Sequence, residues 1–269
     1  MKSAGGTRYL HWAPAALVLV LSLLTANSLN AQNADTQRLA PKGELRVALI
    51  TSNPALVKRD AQGKLSGILV DIADALAAKL NLPLVEVPYD NIEHYNQSIG
   101  KDAWDIAIAP RDLSRIERLG FSETLLMIDN GYVARSGSSL LSVDDVDRVD
   151  VKVAVAEHSP ADSYLSRNLK KAKIIRLPRG IDEARHALTF GSADVYADNV
   201  QFAYQIAAEI PGARVLVGRF NSVTFTFVVP KNNVAALPIL KNFIDDARHD
   251  GTLAEVIKRS GLTGILLAR

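Results

Sequence analysis

Val153-Ala154-Val155-Ala156, followed almost at once by Ser159-Pro160-Ala161-Asp162, is the stretch from which the fold can be read. The first four residues form a short apolar run of the kind that fills a buried parallel strand. The next four open a helix. Ser159 is a good N-cap, Pro160 suits the first helical position, and Asp162 sits where a capping-box acid would. A strand that delivers a helix N-terminus leaves unpaired N–H groups pointing forward, and these attract an anion. Arg115 stands at another short helix start. A guanidinium and a helix N-terminus together would grip a small carboxylate from two sides.

Working outward, strands and helices alternate. Residues 44–50 read as a strand, 60–64 as a turn, and 67–80 as a helix. Its apolar stripe is Ile68, Ile72, Leu76 and Leu80, thickened by Ala73, Ala77 and Ala78. Residues 83–87 are a strand, 92–99 a helix, and 106–109 a strand. A second series follows, with strands at 151–156, 173–177, 195–197 and 214–217 and helices at 161–169, 181–190 and 200–209. A strand at 223–229 and helices at 234–249 and 252–259 complete the chain. This order predicts an α/β fold with mainly parallel sheets covered by helices. Neither half has enough residues for a full doubly wound sheet, so two small lobes with a cleft between them are expected. Ligands in such sheets bind beyond the carboxyl ends of the strands. No internal repeat or low-complexity segment stands out, and Gly137-Ser138-Ser139 is the best linker candidate.

The first 31 residues read as a cleaved secretory signal. Lys2 and Arg8 form a basic start, and 13–24 is an apolar run broken only by Pro14 and Ser22. That run is well short of the roughly 20 residues needed to span a bilayer. Leu29-Asn30-Ala31 is the expected cleavage site, with Ala26-Asn27-Ser28 as second choice. There are no cysteines, which excludes disulfides, thiolate metal sites and a cysteine nucleophile. Removing the signal takes away two basic residues and no acid, leaving the two signs equal at 29 each. With no Lys/Arg block either, nucleic-acid binding is not expected.

Several stretches in order resemble one family. They are Glu44-Leu45-Arg46-Val47, then Gly67 through Asp71 to Ala77, then Trp104-Asp105-Ile106-Ala107 with Arg115 and Phe121-Ser122. Residues 153–165, Gly191 through Asp194 to Asp198, Val228-Val229-Pro230-Lys231 and 250–257 complete the series. Together they resemble the amino-acid-type (family 3) periplasmic solute-binding proteins of ABC importers, across roughly Gly43 to Leu262. The resemblance implies the type II periplasmic-binding-protein fold, with two lobes joined by extended crossings near Gly131-Tyr132-Val133-Ala134 and Val223-Thr224-Phe225. The first lobe would hold 43–129 and 225–269, and the second 130–224. It further implies a periplasmic, monomeric receptor without cofactor or metal. This receptor would close on a small carboxylate-bearing solute by hinge motion and dock on an inner-membrane permease.

On this resemblance Arg115 holds the ligand carboxylate, because a planar fork can grip both oxygens. The other reading is a solvated helix arginine. Asp112 stands where the family usually has threonine; both cap helices, but an aspartate weakens the local positive field. Ser159 matches a position whose N–H and hydroxyl help hold the carboxylate, and it caps its helix equally well. His158 replaces a residue that is often glycine and could touch ligand or face solvent. Asp198 is the candidate for a ligand ammonium, but the family acid falls at Asn199. A one-residue shift turns a strand side chain to the other face. Asn53 could bond a polar ligand or simply form a turn. The loop after the first strand lacks the family's aromatic platform; Tyr89 and Tyr95 could supply a wall, or sit in core or rim.

No Gly-x-Ser-x-Gly elbow, Walker loop or Gly-x-Gly-x-x-Gly is present, and the histidines show no metal-ligand spacing. A binding receptor is therefore expected rather than an enzyme. The alternatives are a partner or sensor subunit, and a dehydratase-like enzyme acting in the same cleft.

Overall fold

The computed structural model describes residues 36–112, 115–178 and 180–267. The signal segment read from 1–31 lies outside them. Among the described residues no helix is long and apolar enough to cross a membrane.

The first series forms strands β1 (Leu45–Ile50), β2 (Lys58–Arg59) and β3 (Leu65–Ser66), helix α1 (Ile68–Leu80), β4 (Leu84–Tyr89), α2 (Ile92–Ser98) and β5 (Ile106–Pro110). Then comes β6 (Leu119–Ala134). The second series is β7 (Lys152–Ala156), α3 (Pro160–Asn168), β8 (Lys173–Leu177), α4 (Ile181–Thr189), β9 (Val195–Asn199), α5 (Val200–Glu209) and β10 (Arg214–Val215). The chain returns through β11 (Asn221–Pro230), a short 3-10 stretch, α6 (Leu237–His249), α7 (Thr252–Ser260) and β12 (Ile265–Leu267).

Local chemistry explains the elements. In α1 the side chains of Ile68, Ile72 and Leu76 are buried, each worth roughly 1.5–3 kcal/mol. Ala78, expected on this stripe, is exposed. The helix stops at Asn81, whose left-handed backbone returns its N–H to the carbonyls of Ala77 and Ala78. Gly67 at its start cannot be replaced without strain. Its φ is +121°, and a Cβ there would lie 2.4 Å from the Leu56 carbonyl oxygen. The turn expected at 60–64 closes through Asp60, whose Oδ1 accepts from the N–H groups of Gln62 and Lys64.

Ten of these strands form one hydrogen-bonded sheet, β4-β1-β5-β11-β6-β9-β7-β8 with β10 and β12 added to β6, while β2 and β3 pair in a separate two-stranded sheet. β1, β4 and β5 are mutually parallel, as are β7, β8 and β9. The 16-residue β6 pairs with β11 along its first part and with β9 over Asn130–Ala134. The crossing expected at Gly131–Ala134 is thus the end of a much longer strand. The Gly137-Ser138-Ser139 stretch is not a link between halves. Arg214 donates to the carbonyls of Ser138 and Leu140, and Leu140 is buried in the second half.

The core divides accordingly. One pair of clusters covers the two faces of β1, β5 and β11, with α1, α6 and α7 on one face and Tyr95 and Trp104 on the other. A second pair covers β7 and β9, with Ala161 and Leu165 of α3 on one face and residues of α4 and α5 on the other.

Candidate functional site

Strand register alone shows where the loops converge. Along β5, Ala107 pairs with Val228 and Pro110 with Phe225, so β5 runs toward the Asn221 end of β11. Asn221 pairs with Asn130 of β6, and Asn130 pairs with Asn199 of β9. β9 runs from Val195 opposite Ala134 to Asn199 opposite Asn130, so it approaches the same rung from the other side. β1 is parallel to β5, and β7 to β9. The carboxyl ends of both strand sets therefore face one gap, bridged by the crossing at Asn130 and Asn221. Asn53 follows β1, Arg115 follows β5, Ser159 follows β7, and Asp198 is the last residue but one of β9. This is the cleft geometry expected from the sequence.

On the first side, Arg111 N–H donates to the Thr224 carbonyl at 2.8 Å, tying the loop to β11. Arg115 N–H donates to the Asp112 carbonyl at 3.1 Å, and Arg115 Nε lies 3.2 Å from Asp112 Oδ2. The aspartate that replaces threonine thus pairs directly with the arginine. Asn53 is buried and forms the turn: its Oδ1 accepts from Ala55 N–H, and its carbonyl accepts from Leu56 and Val57. Tyr95 is core. It stacks on Trp104 with centroids 5.6 Å apart and meets Tyr89 edge-on. Burial pushes its hydroxyl above the usual tyrosine range, with the nearby Arg115 charge pulling the other way.

On the second side, Ser159 is buried and caps α3, its Oγ accepting from Asp162 N–H at 3.1 Å. Asp162 closes the turn further, accepting from His158 N–H, Ser166 Oγ and Arg176 Nε. The helix N-terminus already holds a carboxylate of its own. His158 points into solvent, with Nε2 3.7 Å from Glu157, and its φ of +60° is the conformation that glycine adopts freely. Asp198 is buried. Its Oδ1 accepts from the backbone N–H and the side-chain amide of Asn199. Val195 and Ala197 pack on the α3 face and Tyr196 on the α4–α5 face. By alternation Asp198 shares Tyr196's face, and Asn199 shares the face of Ser159's helix. Asn199, the last residue of β9, therefore lies on the opposite face of the sheet from Asp198. Asn199 also caps α5, accepting from Phe202 N–H at 3.0 Å.

Sequence reading missed a polar cluster at the crossing. Asp129 accepts from Ser222 Oγ at 2.5 Å and Arg219 Nη1 at 3.2 Å, and Asn130 donates to Asn221 at 2.9 Å. The signal was a polar Asp129-Asn130 step directly after the apolar run Leu125-Leu126-Met127-Ile128. It also missed what the Trp104-Asp105 motif does. Asp105 accepts from Arg46 N–H at 3.0 Å and from its guanidinium at 3.1 and 2.7 Å, all buried. Among the described residues no group of three or more His, Cys, Asp or Glu is placed to hold a metal.

Residues 45–262 match the family described as bacterial extracellular solute-binding proteins, family 3. The chain belongs to that family. Among solved structures, it resembles an ancestral amino acid-binding protein, a precursor of cyclohexadienyl dehydratase, with a TM-score of 0.69 at 21% identity. That match covers 83% of this chain and 97% of the other. It resembles the solute receptor for L-cysteine of Neisseria gonorrhoeae with a TM-score of 0.69 at 20% identity, over 85% and 92% of the two chains. It also resembles a mutant of ArgBP from T. maritima, with a TM-score of 0.67 at 20% identity, over 84% and 98%. These neighbours share the type II two-lobed fold expected from the sequence. A curated relative, the cyclohexadienyl dehydratase of Pseudomonas aeruginosa, is 27% identical over 165 residues, 60% of this chain. The chain spans 61% of that relative's length.

Proposed function

We propose that the protein is a periplasmic receptor of an ABC importer. It binds a small carboxylate-bearing solute between its lobes and delivers it to an inner-membrane permease. The observation that carries this reading is the convergence of both strand sets on the Asn130–Asn221 rung, with Arg115 on one side and the capped N-terminus of α3 on the other. Arg115 supplies the fork, while the Ser159 hydroxyl and the Ala161 N–H, the first N–H of α3 because Pro160 has none, supply the opposing donors. The lobes are 43–129 with 225–269, and 130–224; a cleaved signal precedes them. Family membership and the amino acid-binding neighbours support the reading. Thermal unfolding against a panel of amino acids and small organic acids tests it. A true ligand at a hundredfold excess over its Kd stabilises by about 2.7 kcal/mol. No shift with any panel member would count against the receptor.

A second reading has one observation behind it, the dehydratase relative. On that reading the same cleft would turn over a carboxylated ring. Incubation with carboxylated cyclohexadienes, followed by chromatography, separates the two: the receptor returns them unchanged.

A further inference from the structure

We propose that the C-terminal segment 263–267 is a third tie across the hinge, which limits how far the lobes rotate about the crossing strands β6 and β11. The inference rests on the lobe boundaries of the proposed function and concerns the hinge, not the ligand.

The segment is fixed to the first lobe. β12 pairs with residues 126–128 of β6, and Asp129 N–H donates to the Gly264 carbonyl at 2.8 Å. The Asp129 carboxylate in turn accepts from Ser222 of β11 and from Arg219. The tie thus ends on the residue where the crossing strands are already joined.

The same segment reaches the second lobe. The side-chain amide of Gln201 donates to the Thr263 carbonyl. Gly264 lies against Val200, the first residue of α5. Gly264 has a φ of +74°, and a Cβ there would stand 3.3 Å from Val200 Cβ and 3.4 Å from Asp129 Cβ. On another side of Val200, a Cβ at Gly131 would meet its Cγ2 at 3.3 Å. Val200 is therefore seated between a glycine of the crossing and a glycine of the C-terminal segment.

These contacts oppose rotation. α5 begins directly after β9, so a turn of the second lobe carries Val200 and Gln201 with it, while Thr263 and Gly264 stay on β6. Gln201 is 7% exposed. Pulling its amide off the Thr263 carbonyl leaves a buried donor and acceptor without partners, which is costly.

The chain has no cysteine, so Lys101→Cys and Lys171→Cys, exposed in the first and second lobes, place a nitroxide label on each lobe without ambiguity. Double electron–electron resonance on the ligand-free protein then reads the spread of lobe separations. Gln201→Met keeps the length and helix propensity of the side chain but has no donor. It should raise the population outside the native range of separations about fivefold, the change that one net hydrogen bond carries. Gly264→Ala, which sets a methyl between Val200 and Asp129, should widen the distribution as well. Asp194→Ala is the control, because Asp194 bonds Arg135 and the Lys152 N–H inside the second lobe; it should leave the distribution native. A native distribution in both Gln201→Met and Gly264→Ala overturns the inference and leaves the receptor standing. Equal widening in Asp194→Ala overturns it too, because general loosening then explains the result. Failure of every solute in the thermal panel removes the receptor but not this tie, since the measurement uses no ligand.

Discussion

Asp105 and Asp194 do one job in two places. Each stands just before a central parallel strand and accepts the backbone N–H at the start of the neighbouring strand, from Arg46 at 3.0 Å and Lys152 at 2.9 Å. Each returns its own N–H to that same residue's carbonyl. Each also holds a guanidinium, Arg46 for Asp105 and Arg135 for Asp194. The difference is water. The Arg46 and Asp105 side chains are 9% and 3% exposed, whereas Arg135 and Asp194 are 41% and 24% exposed. Asp102 adds a second acid to Arg46, and Lys42 in turn pairs with Asp102. The two lobes thus share a device for fixing strand register, but the first has sealed it into its base and the second has left it wet. A sealed pair resists change because losing one partner strands a charge; a solvated pair does not.

The sharpest way to break the comparison is to remove each acid in turn. Asp105→Ala leaves Arg46 buried without its main partner and should destabilise by about 3–5 kcal/mol. Asp194→Ala should lose only about 1 kcal/mol, mostly the bond to Lys152 N–H. Urea unfolding of both variants checks this, and equal losses would mean that burial does not set the difference.

Acid separates the lobes more gently. The backbone N–H of Ala172, with Lys171 and Lys170, holds the Asp147 carboxyl below the usual range, and the N–H groups of Leu141 and Ser142 do the same for Asp145. In the first lobe Asp102 is lowered by Lys42 and Arg46, while burial raises Asp74 and Glu86. Lowered carboxylates stabilise the folded state above their unfolded pKa of about 4, and that stability is lost as pH falls through the folded value. The raised ones work in the opposite sense. The melting temperature should therefore fall as pH drops below about 4, and Asp147→Asn should flatten the slope. An unchanged slope would mean that Asp147 is not among the groups responsible.

The smallest effect is local to the cleft edge of the second lobe. His158→Gly relieves a left-handed backbone at a residue whose side chain faces solvent, and should change stability by no more than about 1 kcal/mol, upward. A loss instead would show that the imidazole makes a contact that matters.

Much of the fold was legible because its signals are local. The helical stripe of Ile68, Ile72 and Leu76, the Ser159-Pro160 cap and the strand at 173–177 depend on neighbouring residues only. The 16 residues of β6 were mostly missed because Ser122-Glu123-Thr124 break the apolar pattern and Asp129 and Asn130 break it again. The last two belong there for partners about 90 residues away, Ser222, Arg219 and Asn221. The repeated clamp stayed hidden for the same reason. One acid in each half carries it, and a single matched residue is no sequence repeat. Arg115 and Ser159 were singled out from position, but Asp112 was read as a background charge rather than a partner. Only coordinates show that three residues of separation bring the two heads together. The face of Asp198 was undecidable from sequence because it turns on where β9 ends, and the strand runs on to Asn199.

The central claim is that the gap between the lobes holds a carboxylate on Arg115. Calorimetric titration of the native protein and of Arg115→Ala, with the solute that raises the melting temperature most, tests it directly. The account predicts that the variant stays folded and loses at least about a hundredfold in affinity, as expected when a charge-assisted pair of hydrogen bonds is removed. Native affinity in Arg115→Ala would place the ligand elsewhere and contradict the account.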